Sequence, residues 1–295
     1  MDDTVAGAQT DPSPVGSGQP SSQAGAGSLS DADTAPALRL SALIVAHNEE
    51  RHLPLCLAAL GFADEVVVVL DRCTDRSEEI ARDAGAVIVT GAWPIEGDRR
   101  NLGIETCSGD WIVEVDADER VSPELAAELR ATMTASAASG AYDYHPIPFV
   151  NYVAEKPVRF GWGAAFGVGA VPRLFRKGVK QWGPERIHPS LTFTGVKGPN
   201  LTHAMAHYVD DDLSDMINRF NRYTSSHAAD LRATGKTGTL GRNLLRFPFR
   251  FYKCYVRRKG YREGGLGFLI ALLAGLYPVV SHLKAKYDPE DRLPQ

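Results

Sequence analysis

The sequence has few cysteines, and its first 37 residues contain no lysine or arginine. The cysteines are scattered without the spacing of a zinc site or a disulfide framework, at Cys56, Cys73, Cys107 and Cys254. This pattern argues against a disulfide-stabilised secreted domain and against a zinc-binding module. We therefore expect free thiols in a reducing compartment, and so a cytoplasmic protein.

Residues 1–37 also lack regularly spaced apolar residues, and they are rich in Gly, Ser, Ala, Pro and Asp. Such a composition cannot bury enough apolar surface to offset chain entropy, so we predict a disordered tail. The segment has neither the basic start nor the apolar core of a signal peptide. The whole chain is 44% hydrophobic and 23% charged, which is typical of a folded protein with a sizeable core.

Residues 231–262 contain no aspartate or glutamate. Basic residues recur there every three or four positions and predict one cationic helical stripe, formed by Arg242, Arg246, Arg250, Lys253 and Arg257. Aromatic residues such as Phe247 and Tyr252 fall on other faces. An uncharged apolar segment follows over residues 266–280. At about fifteen residues it is shorter than the roughly 20 that span a bilayer, so we do not expect a transmembrane helix.

A basic, aromatic segment followed by an apolar helix favours peripheral attachment to an anionic membrane surface, at the inner face of the plasma membrane. Two alternatives stay open: the helices cover the sheet, or they form a dimer interface. Nucleic-acid binding is disfavoured because no recognised nucleic-acid motif accompanies the cations. The sequence does not indicate an oligomeric state.

The middle of the chain alternates between predicted strands and helices. Strands are predicted at residues 40–46, 65–70, 86–90 and 111–115, and a helix follows each of the first three. This alternation predicts an α/β fold with a mainly parallel central sheet flanked by helices, followed by a helical C-terminal extension. Ligands bind such sheets outside the carboxyl ends of the strands.

Polar side chains stand at the ends of three of these strands. They are His47, Asn48 and Glu49 after the first, Asp71 at the second, and Asp116 and Asp118 after the fourth. Two carboxylates one residue apart repel each other unless a cation lies between them and an anionic ligand, and oxygen ligands suit Mg²⁺ or Mn²⁺. We therefore predict a metal–diphosphate site at this edge. In the alternative interpretation, the Asp-x-Asp sequence is a solvated turn or the cap of the next helix.

Four motifs, in this order and spacing, resemble those of the family 2 glycosyltransferases: residues 43–50, 71–77, 99–103 and 109–119. Motifs at residues 173–176, 187–188, 207–208 and 221–224 resemble, more loosely, the subgroup of β-1,4-glucosyltransferases that acts on the bacterial lipopolysaccharide inner core. The resemblance implies a GT-A nucleotide-diphospho-sugar transferase fold. It also implies an inverting, metal-dependent transfer of a hexose from a nucleotide-diphosphate sugar, with UDP-glucose favoured, to a lipid-linked or cell-envelope glycan.

The resemblance further implies roles for residues at the sheet edge. Asp71 would accept a hydrogen bond from the imide of a uracil-type base, and Arg100 would lie near the base. Asp116 would face the ribose and the metal, whereas Asp118 would bind the metal directly and so assist catalysis. The structural alternatives are that Asp71 begins an Asx turn and that Arg100 is a surface helix residue.

The loop after the first strand supplies two more donor-binding candidates, Asn48 and Glu49, although Glu49 could also be a favourable charge at a helix N-terminus. The sequence departs from the family after Asp71, where Arg72 and Cys73 replace the usual Gly-Ser. A large cation at this place could contact phosphate or point to solvent. The resemblance therefore does not fix the preferred base.

An inverting transfer needs a general base that takes the proton of the acceptor hydroxyl. Glu185 is the first candidate, because the base should lie across the donor from the metal. The subgroup usually has an acid directly after the histidine, where this chain has Pro189, and Glu185 or one of residues 210–212 would replace it. His207 and His188 are candidates for completing the metal shell or binding phosphate, although a lone histidine is more often structural.

Trp162 and Trp182 could stack on an acceptor sugar or pack in the core. We divide the chain into a tail (1–37), a GT-A domain (38–230, with a nucleotide-binding half 38–130 and an acceptor half 131–230) and a helical membrane-associating region (231–295). Two other functions are considered. A sugar nucleotidylyltransferase would need a Gly-rich loop with Arg and Lys after the first strand, and this chain lacks one there. A membrane-docked nucleotide-sugar binding protein would have lost its catalytic base, which the departure at Pro189 allows.

Overall fold

The computed structural model describes residues 37–161, 169–185 and 189–289. Nearly all of the predicted tail lies outside these residues, as do Trp162 and His188. The strands are β1 (Leu40–Ala46), β2 (Glu65–Asp71), β3 (Val87–Gly91), β4 (Trp111–Glu114), β5 (Glu119–Arg120), β6 (Tyr144–Val153), β7 (Lys156–Val158), β8 (Ala170–Arg176), β9 (Lys180–Trp182), β10 (Leu191–Phe193) and β11 (Met205–Asp210). The α-helices are α1 (Leu53–Ala58), α2 (Ser77–Asp83), α3 (Glu96–Thr106), α4 (Pro123–Ser139), α5 (Leu213–Ala233), α6 (Leu240–Tyr252) and α7 (Gly264–Tyr287).

A large mixed sheet organises these elements. Its first half has the order β3-β2-β1-β4, and every neighbouring pair in it is parallel. Its second half continues as β8-β6-β11-β5, in which β8 is antiparallel to both β4 and β6, while β6 and β11 are parallel. The predicted α/β fold is confirmed, and the four predicted strands lie within one residue of their observed bounds.

The parallel half is covered on both faces, which explains why its strands are continuous runs of apolar residues. Residues 67–70 of β2 are buried on both sides. Helix α3 approaches the sheet closely because Gly103 has no side chain. A Cβ atom there would lie 2.6 Å from Leu43 and 2.9 Å from Val69. The strand ends that carry the polar residues are therefore held by a tightly packed core.

A layer of helices at the C-terminal end packs against the second half of the sheet. Val153 and Val158, from β6 and β7, share a buried cluster with Met216 of α5 and Ile270 of α7. Helix α5 is also tied to α7 by polar contacts, since Lys284 donates to the backbone carbonyl of Asn221 at 2.8 Å. Helices α5 and α7 thus form one layer that packs against β6 and β7.

The structure corrects two expectations about this layer. The apolar helix α7 has 24 residues, not the predicted fifteen or so, and by length and composition it could cross a membrane. Over half of its most apolar window, 56%, is nevertheless buried inside the protein. Arg250 also leaves the predicted cationic stripe, because it is half-buried and donates from Nε to the carbonyl of Ala274 at 2.8 Å.

Candidate active site

The loops after β1 and β2 are bound to each other by side chains that accept backbone hydrogen bonds. Oδ1 of Asn48 accepts from the amide of Thr74 at 2.8 Å, and Oδ2 of Asp75 accepts from the amide of Glu50 at 2.9 Å. Asn48 has a φ of +57°, a left-handed conformation that asparagine tolerates better than most residues. The side-chain oxygen of Asn48 thus fixes the loop, which presents its neighbour Glu49 to the sheet edge.

Asp71 ends β2 and is completely buried. Among the described residues, its carboxylate accepts four hydrogen bonds, two from Arg72, one from Arg99 and one from the amide of Trp93. Although burial opposes it, these hydrogen bonds and the two guanidinium charges hold the pKa of Asp71 below its usual range. A carboxylate offers about four acceptor positions. A nucleobase could therefore hydrogen-bond to Asp71 only by displacing one of these four hydrogen-bond donors. Arg72 is the easiest of them to displace, because its side chain is exposed.

Arg72 has a backbone conformation that glycine adopts more easily. Its φ is +53°, which glycine adopts without strain and which other residues adopt rarely. The guanidinium folds back over its own neighbour, with Nη2 2.7 Å from Oδ2 of Asp71. The large cation noted in the sequence is therefore paired with the Asp71 carboxylate in this conformation, while much of its side chain remains exposed to solvent.

Asp116 follows β4 and is held by arginines. Nη2 of Arg173, in β8, lies 2.5 Å from Oδ2 of Asp116, and Nη1 of Arg100 lies 3.4 Å from Oδ1. Arg173 also bonds Glu119 at 3.0 Å, and Glu119 in turn accepts from the amide of Asp116 at 2.8 Å. Despite the desolvation, the two arginines keep the pKa of Asp116 well below its usual range. Arg100 accordingly lies beside Asp116, whereas Arg99 is the arginine on Asp71.

A further group of charged side chains lies next to Asp116 and Arg173. Glu114 forms an ion pair with Lys180 of β9, and the indole Nε1 of Trp182 donates to Glu114 at 3.3 Å. The guanidinium of Arg100 stacks on the Trp182 ring, 4.9 Å from its centroid. Trp182 therefore packs in the core, which is the second of the two alternatives left open for it.

Asp118 and His207 come together across the sheet. Nε2 of His207, in β11, lies 3.2 Å from Oδ2 of Asp118, and its Nδ1 lies 3.0 Å from Oδ1 of Asn151. Burial alone would lower the pKa of His207, but the hydrogen bond and charge of Asp118 outweigh it and raise that pKa. The helix cap that follows is provided by Ser122, whose side chain accepts from the amide of Leu125 at 3.2 Å. Asp118 is thus not the cap of α4.

A cavity of about 530 Å³ opens beside these residues. Its lining includes Glu49 and Asp118 from the loops after β1 and β4, and Asp211 and Arg222 from the end of β11 and from α5. Glu185 is not among the described residues that line the cavity. It is exposed, and its carboxylate accepts from the backbone amide and hydroxyl of Ser190.

The three acids at residues 210–212 have different environments. Asp210 is buried in a two-bond ion pair with Arg219, at 2.8 and 2.7 Å. Asp212 caps α5 by accepting from the amide of Asp215 at 2.8 Å. Asp211 lines the cavity, where its Oδ2 lies 2.5 Å from Nη1 of the exposed Arg51 and 3.5 Å from Nε2 of His52. Of these three, Asp211 is the carboxylate placed to meet a ligand in the cavity.

The edge carries an excess of negative charge. Burial, assisted by the charges of Asp118, Asp116 and Asp75, raises the pKa of Glu49 to about 7. Within residues 37–161, 169–185 and 189–289, no group of three or more His, Cys, Asp or Glu side chains is arranged to hold a metal by itself. A cation at this edge would therefore combine protein carboxylates with ligands from elsewhere.

The raised pKa of Glu49 has a measurable effect on stability. The folded protein keeps a proton that the unfolded chain releases near pH 4.5, so this contribution is present below that pH and is lost as pH rises through 7. We expect Glu49→Gln to be more stable than the parent at pH 8, by about 1–2 kcal/mol after allowance for partial exposure, and equally stable below pH 4.5. Urea denaturation of the metal-free proteins measures this. Glu50→Gln is the control, and a gain that is independent of pH would contradict the explanation.

With this geometry established, sequence comparison assigns the family. The profile described as glycosyl transferase family 2 matches residues 41–189, just over half of the chain. The chain belongs to glycosyltransferase family 2. This match confirms the resemblance that the four motifs indicated. The protein is therefore an enzyme, a glycosyltransferase with the GT-A fold. The sugar nucleotidylyltransferase alternative is set aside.

Curated relatives of this glycosyltransferase cover most of its length. The lipopolysaccharide core biosynthesis glycosyltransferase LpsC of Rhizobium meliloti (strain 1021) is 25% identical over 263 residues, which are 84% of this chain and 92% of that protein. An uncharacterized glycosyltransferase of Rickettsia prowazekii (strain Madrid E) is 25% identical over 246 residues, 80% of this chain and 82% of that protein. A crystal structure of S. aureus TarS matches 77% of this chain but 46% of its own, with 12% identity and a TM-score of 0.41, which supports no argument about this site.

Sequence reasoning did not identify Arg173 as the residue that pairs with Asp116 and Glu119 at the site. The motif at residues 173–176 was visible, but its first arginine was not linked to the carboxylates 57 residues earlier. The available signal was an arginine inside an otherwise apolar strand, because a charge buried in a sheet requires a partner.

Proposed function

We propose that this glycosyltransferase moves a hexose, with inversion, from a nucleotide-diphosphate sugar to a glycan acceptor. The observation that supports it most is the convergence of Glu49, Asp116, Asp118 and His207 at the carboxyl edge of the sheet, beside a cavity of about 530 Å³. This is the place where ligands bind in such sheets. The motif resemblance favours UDP-glucose as the donor.

The residues present fit a divalent metal at this edge. Asp118 and His207 are adjacent, and the crowded carboxylates that raise the pKa of Glu49 favour a cation. We propose Asp118 and His207 as ligands of the metal. Asp116 would also face the metal while its carboxylate stays paired with Arg100 and Arg173. The diphosphate and water would complete the shell, as is usual for Mg²⁺ and Mn²⁺ sites with few protein ligands. The metal would supply a Lewis acid that offsets the charge of the departing diphosphate.

The chain's own residues would carry the remaining steps. Arg100, paired with Asp116, would place a guanidinium near the donor. Asp71 would read the base after Arg72 moves aside, and Asn48 would hold the loop that carries Glu49. The nucleotide would thus bind to the half formed by residues 38–130. The acceptor would enter between this half and residues 131–230.

A general base must remove the proton of the acceptor hydroxyl as its oxygen attacks the anomeric carbon and the bond to the diphosphate breaks. Glu185 stays a prediction, and the loop that carries it adjoins residues outside the described range. We propose Asp211 as the stronger candidate, because it lines the same cavity as Asp118, whereas Glu185 is not among the described residues that line it. Transfer rates and donor binding of the variants Asp211→Asn and Glu185→Gln distinguish the two candidates. Substitution of the general base should abolish transfer and leave donor binding intact.

The name of the relative LpsC refers to lipopolysaccharide core biosynthesis. Together with the cationic C-terminal region, this supports a lipid-linked or cell-envelope glycan as the acceptor. We propose that residues 231–295 attach the enzyme to the cytoplasmic face of the plasma membrane. The free cysteines are consistent with that compartment.

Slow hydrolysis of the donor tests the proposed function without knowledge of the acceptor. The purified full chain should release glucose and UDP from UDP-glucose when Mn²⁺ is present, and chelation should stop the release. Thermal shift with UDP-, GDP- and TDP-sugars identifies the base. Metal-dependent stabilisation without any release would favour the non-catalytic binding protein, and no response to any nucleotide sugar would refute the donor assignment.

A further inference from the structure

Helix α6 presents three different faces around its axis. One face is packed inward: a Cβ at Gly275 of α7 would lie 2.9 Å from the ring of Phe247, and Arg250 bonds the carbonyl of Ala274. Phe251 packs edge-on against Phe268, with ring centroids 5.6 Å apart. These contacts fix the rotation of the helix, so its other two faces must point outward.

The second face is apolar and uncovered. At 3.6 residues per turn, the side chains at positions 244, 245, 249 and 252 share one side of the helix. Leu245 is 78% exposed, Phe249 62%, Tyr252 53% and Leu244 51%. Val256 continues this side beyond the end of α6. Large apolar residues concentrated on one exposed face mark a site of interaction.

The third face is cationic and borders the second. Arg242 and Arg246 are exposed on α6, and Lys253 and Arg257 are exposed on the turn that follows it. No aspartate or glutamate occurs from residue 231 to residue 262. The uncovered side of the helix is therefore an apolar strip with a positively charged border and no negative charge.

We propose that this apolar strip with its cationic border is the surface that docks the protein on an anionic lipid bilayer. The helix lies in the plane of the interface, Leu245, Phe249 and Tyr252 enter the acyl-chain boundary, and the arginines contact lipid phosphates. The inference rests on the proposed function only for the membrane location, because lipid binding does not require sugar transfer. The apolar α7 is the less suitable contact, since over half of its most apolar window is buried inside the protein.

A second copy of the chain is a poorer occupant of the same surface. A symmetric dimer places the same patch opposite itself, so its cationic borders would come together. The segment offers no carboxylate of its own to pair with them. Anionic headgroups satisfy the arginines while the acyl chains take up the apolar residues, and each basic residue adds to the attraction.

Vesicle co-sedimentation with the full chain tests the proposal. The wild type should bind phosphatidylglycerol-rich vesicles at low salt, bind much less to phosphatidylcholine alone, and dissociate as salt rises. The double change Leu245→Glu with Phe249→Glu should reduce the partition coefficient at least ~20-fold, because two large side chains no longer enter the bilayer. Arg242→Gln with Arg246→Gln should reduce it roughly tenfold and weaken its salt dependence.

The matched control is Leu55→Glu with Val196→Glu, two apolar side chains that are 65% and 56% exposed elsewhere on the surface. It introduces the same charge and should bind like the wild type. Donor hydrolysis should be equal in all of these proteins, so a loss of lipid binding is separable from a failure of the proposed chemistry. Wild type that ignores anionic vesicles, glutamate variants that bind as well as wild type, or a patch-dependent dimer with no lipid binding would each overturn the proposal.

Discussion

Asp118→Asn is expected to lower the rate of sugar transfer roughly 10³-fold, the largest effect of any single change at this site. Its carboxylate lines the cavity beside His207. In the proposed function it binds the cation that joins the sheet edge to the diphosphate. Asparagine keeps the size and one oxygen but removes the charge. The leaving diphosphate would then lose most of its electrostatic stabilisation.

Initial rates with saturating UDP-glucose, together with the Mn²⁺-dependent part of the thermal shift, measure this effect. Asp110→Asn is the matched control, because Asp110 precedes the same strand at its other end, where its carboxylate accepts a hydrogen bond from the amide of Arg39. It should retain full activity. Activity of Asp118→Asn within a few fold of the parent, with metal dependence intact, would remove Asp118 from the metal shell.

Arg173→Met is expected to lower the free energy of unfolding by about 3–5 kcal/mol, the largest stability change in the protein. Methionine fills much of the volume, but it leaves Asp116 and the buried Glu119 without the guanidinium that bonds both. Burial alone would raise the pKa of each carboxyl, so these groups would take up protons or admit water. The loss should be smaller at acid pH, where the carboxyls are neutral.

Urea denaturation at neutral and acid pH measures this second effect. Arg176→Met is the control, three residues further along the same strand, where an exposed guanidinium lies 3.3 Å from Asp143. Surface ion pairs contribute little, so this change should cost less than about 1 kcal/mol. Equal losses in the two variants would show that strand β8 needs the arginine stem and not its charge.

The sequence predicted the part of the site that depends on local patterns. Strands β1, β2 and β4 are runs of β-branched residues with abrupt polar ends, and parallel strands place those ends at one edge. The position of Glu49, Asp71 and Asp118 could be inferred from that rule alone. Family motifs then supplied the expected chemistry, which composition could not have done.

Contacts between distant segments could not be inferred in this way. Arg173 reaches Asp116 because β8 pairs antiparallel with β4, and no short-range pattern encodes that pairing. The length of α7 was underestimated because the uncharged apolar segment ends at residue 280, before the polar side chains of His282 and Lys284. Inside the fold they bond the carbonyls of Thr237 and Asn221, which allows a polar continuation of an apolar helix.

If Asp71 reads the base, as we propose, the arrangement around it would make recognition an exchange of hydrogen-bond partners. A nucleotide that used this carboxylate would gain an acceptor that Arg72 already occupies, so one hydrogen bond would form as others broke. The net gain is the difference between two similar interactions, while the released guanidinium stays near an incoming anion. Position 72 would therefore tune which donor is preferred more than how tightly any donor is held.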